Sequence, residues 1–156
     1  MRIHICAVGR LRTGPERALI DDYLTRFDRT GRALGLGPAQ MHEVEDKKGG
    51  GMNAEAVLLE RAIPKASVIV ALDERGKLQS SPEFASQLGD WRDSGRGDVA
   101  FVIGGADGIA PDLRKRADFK LSFGRMVWPH MLARVMLSEQ LYRAASILAG
   151  SPYHRV

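Results

Sequence analysis

Glycine-containing turns follow three segments of this sequence that are typical of buried strands. Gly76 comes after SVIVAL, Gly104 and Gly105 come after DVAFVI, and Gly124 ends an alternating run that begins at Phe119. Glycine lets backbone groups approach a ligand closely, and ligands of open α/β sheets bind beyond the carboxyl ends of the strands. The turns therefore predict one pocket that holds a nucleoside or a phosphate by main-chain contacts. For GGADG, a tight turn without a ligand is an equally open interpretation.

The four histidines have different surroundings in the sequence. His4 and His42 lie in strand-like segments, which is typical of structural histidines. His130 follows Pro129 at the expected start of a helix, where the positive helix end disfavours protonation. His154 belongs to the terminal segment PYHR. The sequence has no dinucleotide-binding GxGxxG, Walker lysine, nucleophile elbow or metal-ligand spacing, which disfavours dinucleotide chemistry, metal-dependent hydrolysis and acyl transfer.

Strand-like and helix-like segments alternate along the chain, as in α/β proteins. Strands are predicted over residues 2–8, 39–44, 67–72, 98–103 and 119–123, and helices over 15–27, 52–63, 81–93, 111–117 and 129–149. Thr13 and Glu16 have the spacing of a capping box for the first helix. We therefore predict one domain over residues 1–156, with a mostly parallel sheet of about five strands flanked by helices.

Composition narrows the possible environments and partners. The 156 residues include one cysteine, Cys6, which is expected to be buried packing because free cysteines usually are. No 18-residue apolar run or signal-peptide pattern occurs, so the expected location is the cytoplasm with no membrane partner. The formal charge of +4 is modest, but basic residues concentrate in the last third of the chain. That bias is typical of a protein with a polyanionic partner.

The helix predicted over residues 129–149 is apolar on more than one face. Leu137 and Leu141 widen its apolar stripe beyond the width that a single-sided surface helix needs. A second surface must therefore cover this helix. The protomer core and a dimer interface are both open as the location of these two leucines.

Several segments together resemble one known family. They are LDERGK (72–77), FVIGGADGI (101–109), LSFGRMVWPH (121–130), LARVMLSEQLYRA (132–144) and the ending PYHR (152–155). Their order and the chain length are similar to those of the ribosomal RNA large subunit methyltransferase H family of SPOUT methyltransferases. Each motif alone is unspecific, but the resemblance covers essentially the whole chain.

This resemblance implies a SPOUT fold with a C-terminal trefoil knot and a homodimer that uses no metal. It implies S-adenosylmethionine as the cofactor and N3 of a pseudouridine in 23S ribosomal RNA, free or within the ribosome, as the methyl acceptor. The cofactor contacts that it implies are Leu72, Gly104, Gly105, Gly124, Arg125, Met126, Val127, Trp128 and Pro129. Family members commonly carry hydroxyl residues near positions 124 and 127, so main-chain groups are expected to make those contacts here.

The terminal residues are the predicted catalytic group. Tyr153 can stack on a base, His154 can accept a proton near neutral pH, and Arg155 can hold a phosphate. In the resembling family this tail lies near a cofactor site, which is expected to be the partner subunit's. A frayed terminus is the alternative, and RNA or water is an equally open source of proton transfer.

Four basic residues are predicted to contact RNA phosphates, namely Lys47, Lys48, Arg125 and Arg134. The alternative for Lys47 and Lys48 is a solvated linker, because three glycines follow them. Two other functions stay open at this point. One is a tRNA-modifying SPOUT methyltransferase, and the other is a non-catalytic ribosome-binding module with the same fold.

Overall fold

Five parallel strands form the central sheet in the computed structural model, which describes residues 1–155. The strands are β1 (Arg2–Val8), β2 (Ala39–Val44), β3 (Val68–Leu78), β4 (Asp98–Ile103) and β5 (Phe119–Ser122), in the spatial order β2-β1-β4-β3-β5. All four neighbouring pairs are parallel. The predicted α/β class and number of strands are therefore confirmed, whereas the trefoil knot stays a prediction.

Five α-helices cover the sheet on both faces. They are α1 (Pro15–Gly31), α2 (Gly51–Ala62), α3 (Ser81–Asp93), α4 (Pro111–Arg116) and α5 (His130–Leu148), with a short 3-10 helix over Arg32–Leu34. Residues of α1, α3 and α5 share one apolar core with the sheet, and residues of α2 and α4 share the other. Cys6 lies in the second core, where burial raises the pKa of its thiol to about 12. The prediction that this cysteine is buried is confirmed.

Helix α1 does not begin with the predicted capping box. Its N-cap is Gly14, no side chain caps it, and Pro15 opens its first turn. A capping box is instead present at α3, where the Ser80 hydroxyl accepts from the Glu83 backbone N–H at 3.2 Å. The Glu83 carboxylate accepts from the Ser80 backbone N–H at 2.8 Å. The serine at position 80 therefore fixes the start of the third helix.

Strand β3 continues through the segment that the sequence predicts to be a turn. Its pairing with β5 shifts register between Leu72 and Lys77, so residues 73–76 form an irregularity within the strand. A Cβ at Gly76 would lie 2.7 Å from the carbonyl carbon and oxygen of Lys120. Glycine is needed here because the two backbones approach so closely. The prediction that β3 ends before residue 73 is therefore wrong.

Helix α5 packs against the protomer's own core through the two leucines whose location was open. Leu137 and Leu141 are both 0% exposed and belong to the core shared with α1 and α3. Their assignment to a dimer interface is therefore wrong. The exposed apolar residues at the start of this helix are Met131 and Leu132.

Two histidines and a carboxylate connect the first, second and fourth strands. His4 Nδ1 lies 3.0 Å from His42 Nε2, and His4 Nε2 lies 2.7 Å from Asp98 Oδ1. Asp98 also pairs with Arg2 at 2.8 Å. Burial, and secondarily the neighbouring His4, lower the pKa of His42. Protonation of His42 is therefore disfavoured in the folded chain.

We expect His42→Gln to reduce the loss of stability on acidification. As pH falls below about 6.5, the unfolded chain binds a proton at His42 more readily than the folded chain, so wild-type stability decreases. His42 is partly exposed, so the effect should stay below about 1 kcal/mol, or roughly 2–4 °C in Tm. Thermal unfolding of both proteins between pH 7.5 and 5.5 measures it. Parallel curves would contradict the prediction.

Candidate active site

A cavity of about 660 Å³ lies beyond the carboxyl ends of β4 and β5 and beside the irregular part of β3. Eight of the nine predicted cofactor contacts line it: Leu72, Gly104, Gly105, Gly124, Met126, Val127, Trp128 and Pro129. Arg125 is exposed and does not line the cavity. Gly76 is also absent from its walls, because this glycine packs against β5. Two of the three glycine turns therefore meet at one pocket.

The GGADG segment forms one wall by folding back on itself. The Gly108 N–H donates to the Gly105 carbonyl at 3.0 Å. A Cβ at Gly104 would lie 2.4 Å from the carbonyl carbon of Gly108 and 2.8 Å from the Ile109 nitrogen. A Cβ at Gly105 would instead meet the Glu55 carboxylate at 2.5 Å. Gly104 is thus the glycine that the backbone of the turn requires, whereas the space beside Gly105 is closed by a side chain.

The segment 124–129 forms an apolar wall of the same cavity. Gly124 has a φ of +118°, and its N–H donates to the Ser122 hydroxyl at 3.0 Å. That hydroxyl also donates to the Glu74 carbonyl at 3.1 Å, which ties the turn to β3. Beyond Gly124, the large side chains of Met126 and Val127 are 73% and 79% exposed. An exposed apolar wall of this kind suits the flat face of a base or a thioether chain.

Charged residues that the sequence analysis did not identify line the β3 side of the cavity. Asp73 pairs with Arg75 at 3.0 Å and with Arg114, and its side chain is 6% exposed. Burial alone raises the pKa of this carboxyl, but the hydrogen bonds from the two arginines outweigh burial and lower its pKa to about 2. Glu74 also lines the cavity, as does Asp107 on the β4 side. LDERGK has the composition of a turn, so only the β3 pairing reveals these side chains.

Arg134 does not contact solvent, so its predicted role as a phosphate contact is wrong. Its side chain is 0% exposed and pairs with Glu43 Oε2 at 3.1 Å. Its guanidinium also donates to the carbonyls of Val8 and Gly9, which end β1. Arg134 therefore holds the start of α5 against the ends of two strands.

His130 is the first residue of α5 and lines the cavity. Its Nε2 lies 3.7 Å from the position that a Cβ on Gly9 would occupy. Burial, and secondarily the Arg134 charge, lower the pKa of His130. The lowered pKa therefore favours a neutral His130 imidazole at the cavity wall, near the buried Arg134. The sequence suggested that this histidine resists protonation, but the partners of Arg134 were not visible in it.

The terminal tail packs on the outer side of α5 and does not fray. The Tyr153 hydroxyl donates to Glu139 Oε1 at 3.0 Å, and the Arg143 guanidinium lies 4.8 Å from the centroid of the Tyr153 ring. Arg143 Nη1 lies 3.2 Å from His154 Nδ1. None of Tyr153, His154 and Arg155 lines the cavity of this protomer. Glu139 is nine residues beyond His130, which is roughly 13 Å along a helix.

The two lysines predicted to contact RNA lie in the loop after β2. Lys47 and Lys48 are both exposed, and neither lines the cavity. Within residues 1–155, no helix is long and apolar enough to cross a membrane. The same part of the chain contains no group of three or more histidine, cysteine or carboxylate side chains that could hold a metal ion.

Known proteins resemble this chain in sequence and in fold. Residues 1–154 match the family described as predicted SPOUT methyltransferase. The chain is 72% identical to ribosomal RNA large subunit methyltransferase H of Ruegeria pomeroyi and 70% identical to that of Ruegeria sp. strain TM1040, over the full length of each pair. A probable methylase family protein from Haemophilus influenzae has the same fold, with a TM-score of 0.56 at 15% identity over 99% of this chain and 70% of that one.

Proposed function

This chain belongs to the ribosomal RNA large subunit methyltransferase H family of SPOUT methyltransferases, and on that premise we propose that it methylates N3 of a pseudouridine in 23S ribosomal RNA with S-adenosylmethionine. The observation that carries the proposal is the cavity at the strand ends, where GGADG and the 124–129 turn meet. Ribosomal RNA as the substrate makes the cytoplasm the proposed location.

The residues of the cavity fit this cofactor. Its volume of about 660 Å³ lies within the usual range of small-molecule sites, roughly 300–1,000 Å³. The close backbone turn at Gly104 offers main-chain groups to a nucleoside, and the wall from Met126 to Trp128 offers apolar surface. Glu74 and Asp107 supply carboxylates on the cavity wall that would attract the sulfonium cation of the cofactor. The bound cofactor would supply an electrophilic methyl group, so the protein has to align the acceptor and assist removal of its proton.

We expect Gly104→Ala to weaken S-adenosylmethionine binding at least about tenfold. The added methyl group would collide with the backbone of residues 108 and 109, so the turn must open. Calorimetric titration with the cofactor measures the affinity. Gly97→Ala is the matched control, because a Cβ there meets nothing within 4 Å. Equal affinities of the two variants would remove GGADG from the binding site.

The proposed working unit is a homodimer that uses a face of α5 other than the one that carries Leu137 and Leu141. The exposed Leu132 lies one helical turn before Val135 and Met136, which line a second cavity together with Leu19 and Leu78. Leu19 and Leu78 are 45% and 61% exposed. Exposed apolar side chains of this kind are expected at a subunit interface.

We expect Leu132→Glu to convert the dimer to monomers, since a charge in a dry interface is costly. Val57→Glu is the matched control, because Val57 is equally exposed but lies on α2, on the opposite face of the sheet. Sedimentation velocity at micromolar concentration distinguishes the two species. A dimeric Leu132→Glu variant, or a monomeric wild type, would exclude this interface.

The proposed RNA contacts are the exposed Lys47, Lys48 and Arg125. Each should contribute an electrostatic contact with a phosphate, so its replacement by glutamine should lower the salt dependence of ribosome binding by about one ion. Arg125 is exposed on the turn that forms the cavity wall, so its proposed phosphate contact would lie beside the proposed methyl-transfer site.

Transfer of labelled methyl groups tests the proposed function directly. The wild-type protein is incubated with S-adenosylmethionine and with ribosomes, free 23S RNA or tRNA, and the modified nucleoside is identified by mass spectrometry. Label at N3 of pseudouridine in 23S RNA is the expected result. Label in tRNA would favour the tRNA-modifying alternative, and ribosome binding without transfer would favour a non-catalytic module.

A further inference from the structure

We infer that His130 accepts the N3 proton of the pseudouridine during methyl transfer. This inference rests on the proposed function and deepens it, because it assigns the proton to a residue of the cavity itself. His130 follows the 124–129 turn directly and lines the cavity at the start of α5. Neither of its ring nitrogens makes a hydrogen bond within residues 1–155, so a lone pair is available to a substrate.

The other groups on the cavity wall that can carry a proton are carboxylates, namely Asp73, Glu74 and Asp107. Asp73 forms ion pairs with Arg75 and Arg114. Its pKa of about 2 makes it a very weak base. Carboxylates as a class are bases roughly two orders of magnitude weaker than imidazole. Among the cavity side chains, His130 is therefore the best matched to proton removal near neutral pH.

The surroundings of His130 keep its imidazole neutral. Arg134, one turn further along α5, faces it with a buried positive charge that pairs with Glu43 of β2. Across the cavity it faces Asp73, Glu74 and Arg75 of β3, and Asp107 after β4. The positive end of α5 adds to the effect of Arg134. Because Arg134 is held by the ends of β1 and β2, its effect does not depend on a mobile side chain.

The tail histidine is less suited to this step in its observed position. Arg143 has only hydrogen-bond donors, so the contact at 3.2 Å means that His154 Nδ1 accepts with its lone pair. The hydrogen of the neutral ring then lies on Nε2, and neither nitrogen is left to accept a proton. His154 and Arg155 can still contact RNA, because neither role needs a free lone pair.

The proposed step balances without another reactant. The N3–C bond forms as the carbon–sulfur bond breaks, and the electron pair of that bond stays on sulfur as a neutral thioether. The N3 proton passes to the free nitrogen of His130, and the resulting imidazolium loses this proton to water. His130 is neutral before the reaction and becomes positively charged when it accepts the proton. The carboxylates Glu74 and Asp107 on the cavity wall would stabilise that positive charge.

The test compares His130→Gln, His130→Ala and the wild type in methyl transfer to ribosomes, at saturating cofactor and ribosome concentrations. We expect kcat to fall at least about 100-fold in both variants, while calorimetry shows cofactor affinity within about threefold of wild type. Added imidazole should restore part of the activity of His130→Ala. The rate of His130→Gln should also keep rising with pH above neutrality, where the wild-type rate becomes constant. Purely structural damage would produce neither response.

His42→Gln is the matched control, since that histidine lies in β2 and does not line the cavity. Its kcat at pH 7.5 should equal that of the wild type. A wild-type kcat in His130→Gln would overturn the inference. So would a pH inflection that persists in His130→Gln but disappears in His154→Gln, because the tail would then hold the base. A wild type that methylates neither ribosomes nor free 23S RNA would instead refute the proposed function, so the two failures are distinguishable.

Discussion

Replacing Arg134 with methionine should lower the free energy of unfolding by about 3–5 kcal/mol, the usual cost of removing one partner from a buried ion pair. Glu43 would keep only its contact with the Leu11 N–H at 2.6 Å and its weaker pairing with Arg17 at 3.6 Å. The carbonyls of Val8 and Gly9 would lose their donor at the end of β1. Denaturant unfolding followed by circular dichroism measures the change.

Two further variants make this result specific. Arg125→Met removes an arginine only nine positions away, but on the surface, so it should change stability by less than about 0.5 kcal/mol. Combining Arg134→Met with Glu43→Leu should cost less than the sum of the single changes, because the second change removes the unpaired carboxylate. A stable Arg134→Met protein that has lost ribosome affinity would restore the phosphate contact that the structure argues against.

The alternation of strands and helices could be predicted from the sequence because hydrophobic period and turn residues are local properties. The extent of β3 could not, since Asp73, Glu74 and Gly76 have a turn composition that the pairing with Leu121 and Ser122 of β5 overrides. A strand boundary set by a partner more than 40 residues away leaves no local pattern. The capping box was misplaced for a related reason, because Thr13 with Glu16 and Ser80 with Glu83 have identical spacing.

The candidate site also has one part that could be predicted from the sequence and another part that could not. Gly104, Gly105 and the 124–129 turn could be found because a resemblance in sequence marks them. The environment of Arg134 could not, because its partners at Val8 and Gly9 are about 125 residues away and are backbone atoms. Leu137 and Leu141 were ambiguous for another reason. An excess of apolar positions on α5 shows that two surfaces cover it, but not whether the second is α1 and α3 or another subunit.

Deleting residues 152–156 should abolish methyl transfer and leave the fold intact. Tyr153 and His154 contact α5 through Glu139, Tyr142 and Arg143, and residues 152–155 do not belong to either apolar core. The dimer and most of the cofactor affinity should therefore persist, as sedimentation and calorimetry would measure. His154→Ala alone should lower turnover at least about tenfold, because a lost hydrogen bond to a charged RNA group costs about 1.5–3 kcal/mol. Normal methylation of ribosomes by the truncated protein would make the tail dispensable.

Mixed dimers decide which cavity the tail serves. Tyr153 is bound to Glu139, roughly 13 Å along α5 from His130, so the tail does not reach its own cavity without leaving its observed contacts. A dimer of one truncated protomer with a normal cavity and one Gly104→Ala protomer with a normal tail contains one complete site only if the tail acts across the interface. We expect such mixed dimers, isolated by two different affinity tags and assayed at a cofactor concentration well below the Kd of the Gly104→Ala cavity, to recover up to half of the wild-type activity. Under the same conditions the truncated homodimer should be inactive and the Gly104→Ala homodimer should keep at most about a tenth of the activity. Inactive mixed dimers would show that the tail serves the cavity of its own protomer, which requires it to detach from Glu139 during the reaction.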